Sequence, residues 1–254
     1  AVEKAGGSYT TEIPAQCGPY LLDKWEQNQK VTLVANPDWK GEKPAFSKVE
    51  YFIVTDDQTA LLAYEADSFD YTRVAMSAAK ALKASLPKNS SLIEAQSTRY
   101  VWLTINMNAE KLKDPRVRQA IQYAYDGEAV LQGSYDGLTG RSAGVVQPGT
   151  QFAREKNKIA MRDIDKAKAL LAEAGVSALE LNLYCLTDSV SQSTAQIIQS
   201  SLQRNLGIEV QLVNEEWKTY LENTKGWPLK YHSLARAGWL GDYVDPNTFL
   251  DLML

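Results

Sequence analysis

The chain has few of the side chains from which most catalytic and metal centres are built. Its 254 residues include one histidine, His232, and two cysteines, Cys17 and Cys185. A zinc site needs several His or Cys ligands at close spacing, which one histidine and two distant cysteines do not supply. A serine or cysteine hydrolase would have to use His232 as its base. The run around it, LKYHSLARAGW, holds no nucleophile in a strand-to-helix elbow. His232 therefore reads as a strand histidine facing solvent or a polar partner. The two cysteines read as unpaired small hydrophobes, although a pair in an oxidising compartment stays open, and they do not fix the compartment. Positive charge is also scarce: 27 basic residues stand against 31 acidic ones, a net charge of −4. That balance gives no basic field for nucleic acid. No apolar run approaches the roughly 20 residues of a membrane-spanning helix. The charged and small residues after Ala1 do not read as a secretory leader.

What is present is ordinary globular composition, 44% hydrophobic and 23% charged, which excludes a disordered chain. The length suits one large domain or two small ones with a core of their own. Strands and helices alternate. Clusters of β-branched and aromatic residues predict strands near 19–25, 30–36, 49–55, 91–95, 100–106, 179–185, 208–213 and 229–239. Apolar periodicity predicts helices near 57–66, 76–86, 115–125, 127–134, 163–174, 190–206, 216–225 and 246–254. The helix at 163–174 is the clearest. Asp163 caps it, Ile164, Ala167, Leu170, Leu171 and Ala174 form its stripe, and Gly175 ends it. The next helix carries Ile197, Ile198, Ser201, Leu202 and Leu206, stops at Gly207 and leads into Ile208–Val213. Strand 179–185, helix 190–206 and strand 208–213 thus form one βαβ unit with the two strands parallel. Residues 136–160, rich first in Gly and Pro and then in charge, read as a surface loop. No Gly-Lys-Ser/Thr follows its glycines, so it is not a phosphate cradle.

Two segments carry a binding signature. In Tyr100–Asn106, Val101, Leu103 and Ile105 point one way, while Tyr100, Trp102, Thr104 and Asn106 point the other. The second face suits a cleft wall, or an ordinary half-buried strand. In ARAGWLGDYVDPNTFL, at 235–250, Arg236, Trp239, Asp242 and Tyr243 lie within eight residues at a strand end. Strand ends are where ligands bind in α/β sheets. The carboxylate pairs Asp242/Asp245 and Glu215/Glu216 read as solvated charges or helix caps, with acid/base work as the alternative.

At these residues the chain resembles the large extracellular solute-binding proteins of ABC importers, the oligopeptide- and dipeptide-binding family. Six segments match in family order: CGPYLLDKWEQNQKVTLVANPDW at 17–39, VEYFIVTDDQTALLAYEADSFDYTRV at 49–74, DPRVRQAIQYAYDGEAV at 114–130, DIDKAKALLAEAG at 163–175, NLGIEVQLVNEEWKTYLE at 205–222 and ARAGWLGDYVDPNTFLD at 235–251. The last two look most like the oligopeptide-binding branch. In the second, the resemblance implies a strand–helix–strand that ends near Asp70.

The resemblance implies an α/β, periplasmic-binding-protein-like fold of two lobes that close on a ligand. Family members are longer, so the chain is expected to be a fragment. Residues 1–107 would form a partial first lobe with a first crossover strand, 108–233 a complete second lobe, and 234–254 the second crossover strand and the return. The implied function is the substrate-binding component of an importer, outside the cytoplasmic membrane, with a peptide ligand and a membrane permease as partners. It is expected to be monomeric at full length, with no membrane insertion of this segment, no cofactor and no catalysis. The same scaffold serves sugars, opines and nickel complexes, which remain alternatives, as does a hydrolase using Asp242 with His232. Residue by residue, the resemblance assigns Asp242 to the ligand's α-amino group and turns Trp217 and Arg236 toward ligand. Gly238, Trp239, Tyr243, Tyr100 and Trp102 join them as candidate ligand-binding residues. Some relatives carry an arginine where Thr224 stands. Here Lys225 is the neighbouring cation, and a lysine holds a carboxylate with looser geometry.

Overall fold

A computed structural model describes residues 16–95, 97–156, 161–224 and 233–251. The chain divides into two compact units, residues 1–74 and 75–254.

The first unit is an antiparallel meander of β1 (Tyr20–Glu26), β2 (Lys30–Ala35) and β3 (Lys48–Phe52), in that order, followed by α1 (Asp57–Glu65). Asp56 caps α1 by accepting the Thr59 N–H at 2.8 Å. Three strands and one helix enclose little: Thr32 and Leu61 are buried, while Phe46, Tyr51, Phe52, Ile53 and Tyr71 are exposed. The chain after α1 runs without regular structure to residue 75, so the second strand expected there is not formed.

The second unit opens with α2 (Met76–Ala84) and holds a four-stranded sheet ordered β4 (Arg99–Ile105), β7 (Leu234–Leu240), β5 (Glu180–Leu186), β6 (Glu209–Glu215). β5 pairs with β6 in parallel from Glu180↔Glu209 to Leu186↔Glu215, which bears out the βαβ reading. β5 also runs parallel to β7, and β4 is antiparallel to β7. One face of the sheet is covered by α3 (Pro115–Ala124), α5 (Ile164–Glu173) and α6 (Ser189–Leu206), with α4 (Gly127–Tyr135) packed on α6. The helices form where the pattern places them. Asp114 caps α3 and Pro115 takes its first position, where no N–H is needed. Val117, Ala120, Ile121 and Ala124 bury one stripe. Asp163 caps α5, and Ala167 and Leu171 sit at the centre of its stripe. Gly207 ends α6 in the left-handed region at φ +67°, which a residue with a Cβ rarely adopts. Two short helices complete the unit, α7 (Trp217–Thr224) and α8 (Asn247–Leu250).

A further expected strand is absent. Residues 91–95 join no strand ladder among the described residues, and Ile93 is 80% exposed. Leu92 and Ile93 are the only large apolar residues there, too few to make a buried face. The loop at 136–156 is irregular as read, and residues 157–160 lie outside the described residues. So do His232, Lys225 and the first part of the strand expected at 229–239. Both cysteines are free: Cys17 is exposed, and the buried Cys185 thiol donates to Asn214 Oδ1 at 2.9 Å.

Candidate functional site

The β4–β7 ladder organises the site. Its register sets Tyr100 opposite Trp239, Val101 opposite Gly238, Trp102 opposite Ala237 and Leu103 opposite Arg236. Residues directly opposite in an antiparallel ladder share a face, and the face alternates along each strand. Leu103, Ile105 and Leu234 therefore face the helix-covered core, against which they pack. Tyr100, Trp102 and Trp239 share the other face. The rings of Tyr100 and Trp102 stack, 5.3 Å between centroids and 23° apart. Burial pushes the Tyr100 phenol pKa up, because the phenolate would lose its hydration. Gly238, opposite Val101, carries no side chain on the other face. A Cβ there would sit 3.3 Å from the Tyr100 carbonyl oxygen.

Beyond Leu240 the chain turns. Gly241 is clamped by Thr98, whose hydroxyl donates to the Gly241 carbonyl at 3.3 Å. The Asp242 N–H donates to the Thr248 hydroxyl at 3.2 Å. The Asp242 side chain is exposed, and its carboxylate has no hydrogen bond or ion pair among the described residues. Tyr243 is 49% exposed, with its hydroxyl on Asn247 Oδ1. Asp245 accepts the Asn247 N–H at 2.8 Å and so belongs to the start of α8 rather than to a pair with Asp242. Glu215 accepts from the Asn223 amide and Glu216 from the Thr187 hydroxyl, which gives both carboxylates structural bonds.

Arg236 lies on the opposite face from the aromatic group. It is 7% exposed, donates from Nη2 to the Tyr135 hydroxyl at 3.0 Å, and makes no ion pair among the described residues. Its Nε is buried without a partner among the described residues. The β7–β5 pairing ends at Tyr184↔Ala235, and the Tyr220 hydroxyl donates to the Arg236 carbonyl at 2.7 Å. Two phenols thus hold one residue of β7. The Tyr125 phenol pKa is raised by burial and by nearby Tyr135, against the pull of Arg141 and Arg236. Trp217 is 59% exposed at the start of α7 and stacks on Tyr220, 6.5 Å between centroids.

The structure thus gathers Tyr100, Trp102, Gly238 and Trp239 on one ladder, with Asp242 and Tyr243 just past its end. It sets Arg236 on the other face and Trp217 on a separate helix. A shallow polar pocket of about 440 Å³, bordered by Glu110, Lys111, Glu180, Asn182 and Gln211, contains none of these residues. The sequence reading missed Thr98, Thr248, Tyr135 and Tyr220. Each acts through one hydroxyl on another element, and no periodicity or short motif marks such a bond. For Tyr220, the three-residue spacing from Trp217 was the one available signal.

The fold is that of a solute-binding protein. The chain belongs to the bacterial extracellular solute-binding proteins, family 5, whose middle-region model matches residues 1–254. It is 30% identical to the periplasmic oligopeptide-binding protein OppA of Salmonella typhimurium, over 100% of this chain and 48% of that protein. Among solved structures, the murein tripeptide-binding protein MppA of Escherichia coli superposes with a TM-score of 0.85 at 25% identity, over 99% of this chain and 50% of that one. The periplasmic binding protein DppA of Helicobacter pylori, in complex with the peptide STSA, gives a TM-score of 0.81 at 27% identity, over 92% of this chain and 44% of that one. The chain spans about half the length of the relatives it matches.

Proposed function

We propose that the protein to which this chain belongs is the peptide-binding component of an ABC-type importer. It works in the periplasm or otherwise outside the cytoplasmic membrane, delivers ligand to a membrane permease and performs no chemistry on it. Relatives named as periplasmic peptide-binding proteins support the reading. The observation that carries it is the Asp242 carboxylate, exposed and without a partner among the described residues, beside the aromatic ladder of Tyr100, Trp102 and Trp239. A carboxylate suits a peptide's terminal ammonium, and aromatic faces suit its side chains without demanding one sequence. Tyr243, Trp217 and Lys225 complete the proposed ligand-facing set, while Gly238 and Arg236 stand on the other face of β7. In this reading residues 1–107 belong to a first lobe, 108–233 form the second, and β4 and β7 are the crossover strands.

The test uses the full-length protein, its Asp242→Asn variant, and one peptide with a free or an acetylated amino terminus. Removing one partner of a desolvated charge pair costs about 2–5 kcal/mol, roughly 30-fold or more in affinity. Calorimetry is expected to show that loss for the acetylated peptide on unaltered protein, and equal weak binding of both peptides by the variant. Equal affinity of the unaltered protein for both peptides refutes the ammonium role. Release of cleaved peptide points instead to a hydrolase.

A further inference from the structure

Among the described residues the Asp242 carboxylate has no hydrogen bond or ion pair, so its position follows its backbone. One atom ties that backbone to Trp239. Thr248 Oγ1 accepts the Asp242 N–H and the Trp239 indole N–H, each at 3.2 Å. A hydroxyl oxygen has two lone pairs, and both are used here. Thr248 is fully buried, as is its neighbour Phe249. Between the two bonded residues, Gly241 is wedged so closely that a Cβ would lie 3.1 Å from Thr248 Cγ2 and from Phe249 Cζ, and 3.3 Å from Thr98 Cβ. The Thr248 methyl therefore fills a fixed slot. A β-branched side chain is stiff about χ1, so a fixed methyl fixes the oxygen.

We propose that Thr248 is a positioning residue that ties the Asp242 carboxylate and the Trp239 indole into one geometry, and that it thereby sets the preference for ligands with a free ammonium group. The inference rests on the proposed role of Asp242. Thr248 touches no ligand. It acts by removing the freedom of the turn that follows Leu240 before ligand arrives, so less ordering is left to binding.

The test reads a ratio rather than an affinity. In the full-length protein, affinities for a free and an acetylated peptide are measured for the unaltered chain and for Thr248→Val, Thr248→Ser and Thr248→Cys. Valine keeps the shape and removes the acceptor. Serine keeps the acceptor and loses the methyl. Cysteine offers only a weak acceptor and stands in if the valine variant does not fold. For Thr248→Val the free-to-acetylated ratio is expected to fall about 10-fold, as expected for losing one well-placed bond. Affinity for acetylated peptide should stay within about 2-fold, and Thr248→Ser should recover most of the ratio. A purely structural hydroxyl lowers thermal stability and both affinities together, leaving the ratio unchanged, and that result overturns the proposal. If the unaltered protein does not distinguish the two peptides, the Asp242 role fails and this inference with it. A clear distinction that survives in Thr248→Val removes the Thr248 role alone.

Discussion

Asp114 shows how one side chain serves both local structure and pH response. It accepts the Arg116 N–H at 2.8 Å and the Arg116 guanidinium from Nη2 at 2.6 Å. The guanidinium contact, then the backbone bond, holds its carboxyl below the ordinary range, against a smaller opposing effect of burial. A depressed folded pKa adds stability above the unfolded value, near 3.9, and that contribution is lost as pH falls through the folded value. Asn caps helices about as well as Asp, so Asp114→Asn isolates the charge. Its melting temperature is expected below that of the unaltered chain at neutral pH, with the gap closing as pH drops below about 4. A gap that persists at low pH assigns the loss to something other than ionisation. Gly241 gives a steric test. Adding one methyl there forces Phe249, Thr248 or Thr98 to move. Gly241→Ala should cost about 1–3 kcal/mol in denaturant titration. Gly140→Ala, where a Cβ meets nothing within 4 Å, should stay within about 0.5 kcal/mol.

Among the elements, β5 and α6 hold the second unit together. Leu183 is fully buried in β5, which has β7 on one side and β6 on the other. Leu183→Ala should therefore lower stability by about 2–5 kcal/mol, read from the denaturant midpoint. Asp188 accepts the Ser191 N–H at 2.9 Å at the start of α6. Asp188→Ala is expected to cost about 0.5–2 kcal/mol by the same measurement, the usual value of a cap. If the two losses are equal, packing does not dominate this unit. Elements of this kind were legible. In α5 and α6 the caps, stripes and terminal glycines lie within one stretch of chain, and strand, helix and strand follow one another without an intervening domain. Residues 91–95 misled because two apolar residues satisfy a short strand pattern while no neighbouring strand is there to pair with them. The last helix is read from Asn247 to Leu250, shorter than its pattern over the described residues.

For the whole molecule, the expected consequence of the proposed function is ligand-dependent stability. A ligand that binds only the folded state stabilises it by about 2.7 kcal/mol at 100 times its dissociation constant. Scanning calorimetry of the full-length protein should show the melting temperature rising with peptide concentration. At the same concentration the rise should be much smaller for Asp242→Asn. A rise of equal size in both proteins places the ammonium contact elsewhere.

The sequence by itself determined the family, most of the helices and paired strands, and the parallel pairing of β5 with β6, because those features are written in local composition, spacing and motif order. It also singled out Asp242, Trp239, Tyr100 and Trp102, which stand in two short runs. The tertiary structure alone decided which of these meet. The register of β4 on β7 places Tyr100 beside Trp239 and sends Arg236 to the opposite face. One hydroxyl on α8 joins Trp239 to Asp242 across a turn. Tyr220 on α7 caps the carbonyl that β7 frees where it parts from β5. Register and bonds between distant segments depend on how whole elements pack. A side chain's own neighbours in the chain do not encode which remote hydroxyl will reach it.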